Sequence, residues 1–286
     1  MPLRIVIFTL AAMIAFAANS VIGRLALIEE EIGAGSFALI RLMSGAVVLL
    51  ILLALQRVRP LGDWKGSIAL LTYAGFFSYA YISLPAGTGA VILFAIVQVT
   101  MIGWGLVNGE RLNTLQWIGL AVAFAALIWL VSPGVEAPSF LASLSMVIAG
   151  IGWGAYSLLG REAGDPTAVT AGNFARATLL AGLFAPLVFI SFPESAPSAR
   201  GVGLAIVSGA LTSGLGYAIW YSALRGLSAT RASVAQLSVP AFAAIGGVII
   251  LSEPVTFRFT SATTIILIGV AIVTLTPSRQ TRKGGA

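Results

Sequence analysis

Ten apolar runs follow one another along this chain of 286 residues with only short links between them. They fall roughly at 5–22, 38–55, 68–84, 90–107, 115–131, 141–159, 168–192, 202–224, 232–251 and 260–275. A bilayer crossing takes about 20 mainly apolar residues, and lipid offers no partner to a free backbone N–H or C=O. Each run must therefore satisfy its own backbone as a helix. The links carry turn chemistry, as in RPLGD at 59–63, SPG at 132–134 and FPESAP at 192–197, and none has room for a soluble domain. The expected fold class is all-α and integral to a membrane, with ten transmembrane helices.

Composition agrees with that solvent. Charged residues make up 9% of the chain and hydrophobic ones 58%, against about 25% charged in a soluble domain. The absence of cysteine and histidine removes disulfides, thiol nucleophiles, zinc sites and imidazole acid–base chemistry. A net charge of +6 would suggest nucleic acid for a soluble chain; in a membrane chain the bias of basic residues towards the cytoplasm is the simpler cause, and no nucleic-acid partner is expected. With a cytoplasmic N-terminus, eleven basic residues fall inside and Arg24, Arg200 and Arg258 outside, with Arg41 and Arg176 left within spans. Both termini are thus expected in the cytoplasm. No secretory leader is expected, because the first apolar run leads into further spans.

The chain also resembles itself. ILFAIVQVTMIGWGLVNGER, at 92–111, aligns without gaps with the stretch ending at Pro254 when Glu110 is set on Glu253, 143 residues later and half the chain length away. AFAANSVIGR at 15–24 matches GWGAYSLLGR at 152–161 in Ala, Ser, Gly and Arg, and Arg41 and Arg176 lie at comparable depths in spans two and seven. Five spans per unit is an odd number, so the second copy must insert upside down. The expected units are 1–135 and 136–286, an arrangement typical of secondary transporters with two gates alternating about a central site.

Two five-span repeats, each closing its fourth helix with a glutamate (NGER at 108–111, SEP at 252–254), resemble the EamA-type members of the drug/metabolite transporter superfamily. NGER, GWGAY in span six and GYAIWY in span eight are most similar to the aromatic amino acid exporters among them. The resemblance implies a basket in which spans one, three, four, six, eight and nine surround a cavity and spans five and ten lie outside. It implies a multi-pass protein of the bacterial inner membrane that exports small metabolites, without a cofactor. The chain departs from the family pattern where Val97 stands opposite Pro240, and where Ser252 replaces glycine before the second glutamate.

Candidate substrate-binding residues follow from helical spacing. Trp153 and Tyr156 share a face, and the repeat sets them on Phe16 and Asn19. Tyr217 and Trp220 do the same on span eight, with Tyr79 on span three. Ser233, Gln236 and Pro240 would form a polar strip beside a break in helix bonding, with Gln98 as the counterpart in span four. Aromatic and amide groups at interfaces between helices also serve packing alone. Gly150 and Gly154 say only close packing. Arg41 and Arg176 are expected to reach headgroup level by extending their side chains.

Glu110 and Glu253 are expected at the gates, with Pro85 in the hinge at 84–86 and a second hinge at 227–229. Such a cavity suits a zwitterion with an apolar side chain. The function expected is export of aromatic and other neutral amino acids and related metabolites, by alternating access in a monomer. No acid lies deep in a span, which favours uniport or weak coupling through the two glutamates. An exporter of lipophilic cations would want such an acid. An intramembrane enzyme would need positioned acids or a metal-binding pair, so no catalytic or metal-ligating residue is assigned.

Overall fold

The computed structural model describes residues 3–109, 111–134, 137–161, 164–227, 232 and 235–276. Among them are ten helical spans: α1 (Leu3–Ile28), α2 (Ala34–Gln56), α3 (Trp64–Tyr81), α4 (Ala86–Val107), α5 (Thr114–Val131), α6 (Phe140–Arg161), α7 (Pro166–Ser191), α8 (Ala199–Leu224), α9 (Ser238–Leu251) and α10 (Phe257–Leu275). Eight are by themselves long and apolar enough to cross a membrane; α3 and α9 are the others. α3 carries Lys65 and several tyrosines and packs chiefly against α6, whereas α9 is only 14 residues long.

Most spans start earlier than the apolar runs. The reason is capping, since polar residues that satisfy the free N–H groups of a first turn do not register as apolar. Asp63 accepts from Gly66 N at 2.9 Å, Asp165 from Thr167 and Ala168 N at 3.1 Å, and Thr256 from Phe259 N at 3.1 Å. Asn113 and Gln116 form a reciprocal capping box at the start of α5.

Short links alternate the helix directions, so α1 begins and α10 finishes at the same end, the near end. The main packing pairs are α3·α6, α5·α10, α2·α7, α4·α6, α2·α8, α1·α9, α4·α9, α1·α8 and α3·α7. α5 and α10 lie mainly against each other, on the outside of the bundle. Gly152 is the tightest point between α6 and α3: an added Cβ would stand 2.9 Å from Tyr73 N and 3.0 Å from Ala69 O.

At the far end, acids from the second half of the chain cap helices of the first. Glu194 accepts from Gly35 N at 2.6 Å and Ser36 N at 3.1 Å, at the start of α2. Beside it, Glu31 meets Ser198 and Arg200, which together hold its carboxyl below the ordinary range.

One local expectation changes. Arg176 does reach the near-end link, donating to Leu61 O at 2.8 Å, but Arg41 does not extend to headgroup level. It is 1% exposed, enclosed in the bundle by α3 and α8. Pro240 stands in the first turn of α9, and the helical residues Ala235 and Gln236 are separated from that helix by a turn at Leu237, so the chain does lose helix bonding just before the proline.

Candidate functional site

α8 is not uniform. Ser208–Leu215 forms a π-helical segment between the α-helical pieces Ala199–Val207 and Gly216–Leu224. The wider turn re-aims hydroxyls towards α1 and α2. Ser208 donates to Asn19 Oδ1 at 2.7 Å, and the Thr212 hydroxyl lies 3.1 Å from the same oxygen. Ser213 accepts from Arg41 Nε at 3.2 Å. The Tyr73 hydroxyl accepts from Asn19 Nδ2 at 3.2 Å and Arg41 Nη2 at 2.9 Å, which joins α1, α2, α3 and α8 through one buried network.

An aromatic layer covers that network. Phe16 lies edge-on to Trp153, Tyr217 and Trp220, with centroids 6.1, 5.7 and 6.0 Å away. Trp153 also stacks tilted against Tyr73 at 5.0 Å and Tyr217 at 4.9 Å. Such pairs contribute about 0.5–1.5 kcal/mol each beyond the area they bury. Trp153 and Trp220 form the floor of a cavity of about 440 Å³ that opens at the near end, with Met101, Ser157, Tyr221, Arg225 and Gln236 along its walls.

The opposite end is shut by a latch. Arg24 donates to the carbonyls of Tyr81 at 3.0 Å and Ile82 at 2.7 Å, at the end of α3, and pairs with Glu253 at 3.3 Å. Both oxygens of Glu253 accept from Ala86 N, at 3.1 and 2.8 Å, capping α4 from another helix. Ser252, left-handed at φ 54°, turns the chain so that the carboxylate points there. Burial pushes the Glu253 carboxyl above its ordinary pKa, and the Ala86 N–H and Arg24 oppose the shift without cancelling it.

The candidates thus separate. Phe16, Asn19, Trp153, Tyr217 and Trp220 meet around one centre, and Gln236 lines the cavity above it. Tyr156 is buried beside them, donating to Thr170 at 3.2 Å. Tyr79 faces away, against Phe192 at 5.7 Å, and Gln98 borders a small void between α4, α5 and α10. Pro240 is buried in α9 and Pro85 precedes α4 next to a far-end hollow that Glu253 also borders. Ser233 and Glu110 lie outside the described residues. Sequence reasoning missed Tyr73 and Phe77, although Tyr73, Phe77 and Tyr81 recur every four residues along α3. It also missed the Arg24 half of the latch, which is legible only once two distant segments are adjacent.

An uncharacterized protein of Pseudomonas aeruginosa is 46% identical over 98% of both chains. The uncharacterized transporter YoaV of Bacillus subtilis is 26% identical over 85% of this chain and 88% of its own. A solved crystal structure shares the fold at a TM-score of 0.64 and 20% identity, covering 93% of this chain and 98% of that one. The EamA-like transporter family matches residues 3–132 and again 140–275. With both halves matched in turn, the chain belongs to the EamA-like transporter family.

Proposed function

We propose that this transporter exports aromatic and other neutral amino acids, and related small metabolites, across the bacterial inner membrane by alternating access, as a monomer. The observation that carries the reading is the pairing of an aromatic-floored cavity open at one end with an ion-paired latch at the other. That is the form of one half of an alternating cycle, with the solute site between two gates. A cavity of about 440 Å³ is of the size that small ligands fill. The excess of basic residues on the near-end side makes that side cytoplasmic, with both termini there. The cavity is then open inwards.

Two inverted units, 1–135 and 136–286, are supported by the packing. Adding five to a helix number turns α3·α6 into α8·α1, α4·α6 into α9·α1 and α3·α7 into α8·α2, while α2·α7, α4·α9 and α5·α10 map onto themselves. The two family-matched segments fall in the same halves.

Counterflow of the twenty amino acids into liposomes holding the purified protein tests the proposal. Exchange of phenylalanine, tryptophan or a neutral amino acid at several times the empty-liposome rate is expected. Exchange of a quaternary ammonium dye without any amino acid would replace this reading with cation export; the cavity wall, which includes Arg225 and no acid among its described residues, favours the amino acid.

A further inference from the structure

Arg41 is fully enclosed, yet its charge has no opposite. Its hydrogen-bond partners, Tyr73 and Ser213, are neutral, and its guanidinium lies over the rings of Tyr73 and Phe77 at 4.9 and 4.6 Å. None of the ion pairs among the described residues includes it. Its Nη1 makes no hydrogen bond of good geometry, and neither does the hydroxyl of Tyr217, which lies close to the guanidinium and to Tyr73 and is itself buried. An unmade hydrogen bond on a buried group is destabilising, and more so when the group is charged. Two such groups side by side mark a place where something negative and acceptor-rich completes the structure.

The surroundings say how it would arrive. A void of about 10 Å³, bordered by Asn19, Tyr73, Phe77, Trp153 and Tyr217, stands next to the guanidinium's ring partners. Trp153 borders both this void and the open cavity, so one aromatic ring separates them.

We propose that Arg41 and Tyr217 form an anion subsite for the carboxylate of the transported solute, whose apolar part rests on Trp153 and Trp220. This rests on the export reading above. The carboxylate accepts from Arg41 Nη1 and the Tyr217 hydroxyl, a charge-assisted pair of bonds. Nε and Nη2 are already held by Ser213 and Tyr73, so the guanidinium is oriented before the solute arrives. Displacement of the Trp153 ring joins void and cavity. A solute without a carboxylate leaves both donors unmade, and the site therefore selects acids and amino acids over amines.

The test is tryptophan fluorescence of the purified full-length protein, titrated with phenylacetate, L-phenylalanine and phenethylamine, alongside counterflow of the same probes. The expected result is that phenylacetate and phenylalanine bind about tenfold or more tighter than phenethylamine, and that Arg41→Met removes that preference. Arg41→Lys should retain part of it. Tyr217→Phe should weaken the acids several-fold and leave the amine unchanged; as it deletes one hydroxyl, it decides the matter if Arg41→Met fails to fold. Failure of the wild type to bind either acid, equal binding of the amine, or full acid preference in Tyr217→Phe overturns the subsite, as does displacement of phenylacetate by an equal concentration of chloride. Arg41-dependent acid binding without counterflow would sink the export reading and keep the subsite. Acid counterflow indifferent to Arg41 and Tyr217 would do the reverse.

Discussion

Ser252 shows how a departure from an expected pattern can leave geometry intact. It replaces the glycine that the repeat leads one to expect, yet it adopts the left-handed conformation, φ 54°, at the position equivalent to Gly109, φ 90°. Both residues stop a fourth helix of their unit just before its glutamate. A non-glycine residue there costs about 1 kcal/mol or slightly more, offset in part by the extra freedom glycine has when unfolded. Ser252→Gly is therefore expected to raise the melting temperature of the detergent-purified protein by about 1–3 °C. Gly109→Ser should lower it by a similar amount, because no atom stands within 4 Å of its added Cβ and the effect is purely one of backbone. Changes of the same sign in both variants would contradict the argument. Asp63, Asn113 and Asp165 cap α3, α5 and α7, and a reading of apolar runs passes over them because a capping residue is polar. Position along α2 alone says little about Arg41, because the rings and hydroxyls that enclose it come from α3 and α8.

Among the elements, the ten spans were legible and their internal geometry was not. Hydropathy reports whether a segment is apolar and is blind to the extra residue per turn that makes Ser208–Leu215 a π segment. Its sequence, SGALTSGL, does carry a sign, with hydroxyls and glycines in place of the bulky apolar residues of its neighbours. Likewise Gly150 and Gly154 read only as close packing. In the structure they face Ile96 and Thr100 of α4, while Gly152 between them faces the backbone of α3. Backbone atoms cannot move aside as a flexible side chain does. Gly152→Ala should thus push α3 away, costing about 1–3 kcal/mol, and loosen the Tyr73 hydroxyl from Asn19 and Arg41. Gly75→Ala, in α3 with no atom within 4 Å of the added Cβ, is the control. It should be neutral or stabilising by up to about 1 kcal/mol from helix propensity. Equal melting temperatures for the two variants would mean that α6 and α3 are not in the close contact described.

At the scale of the whole molecule, the half-length repeat pointed to two units, while the closure of one end depends on partners 229 residues apart, Arg24 and Glu253, that no local pattern links. Their latch has a consequence for pH. In the shut state burial holds the Glu253 carboxyl above its ordinary value of 4.5, whereas a solvated carboxylate in the opened state returns to that value. The shut state therefore binds the proton more tightly. By linkage, acid favours the latch shut, and opening becomes easier as pH rises from the ordinary value through the raised one. A zwitterionic amino acid keeps its charge over that window, so counterflow of phenylalanine should accelerate with pH there and level off above it. In Glu253→Gln, which cannot ionise, the rise should vanish, with a flat rate across the same range. A wild-type rate that falls as pH rises, or a variant that keeps the wild-type profile, would show that titration of this carboxyl does not bias the closure of the far end.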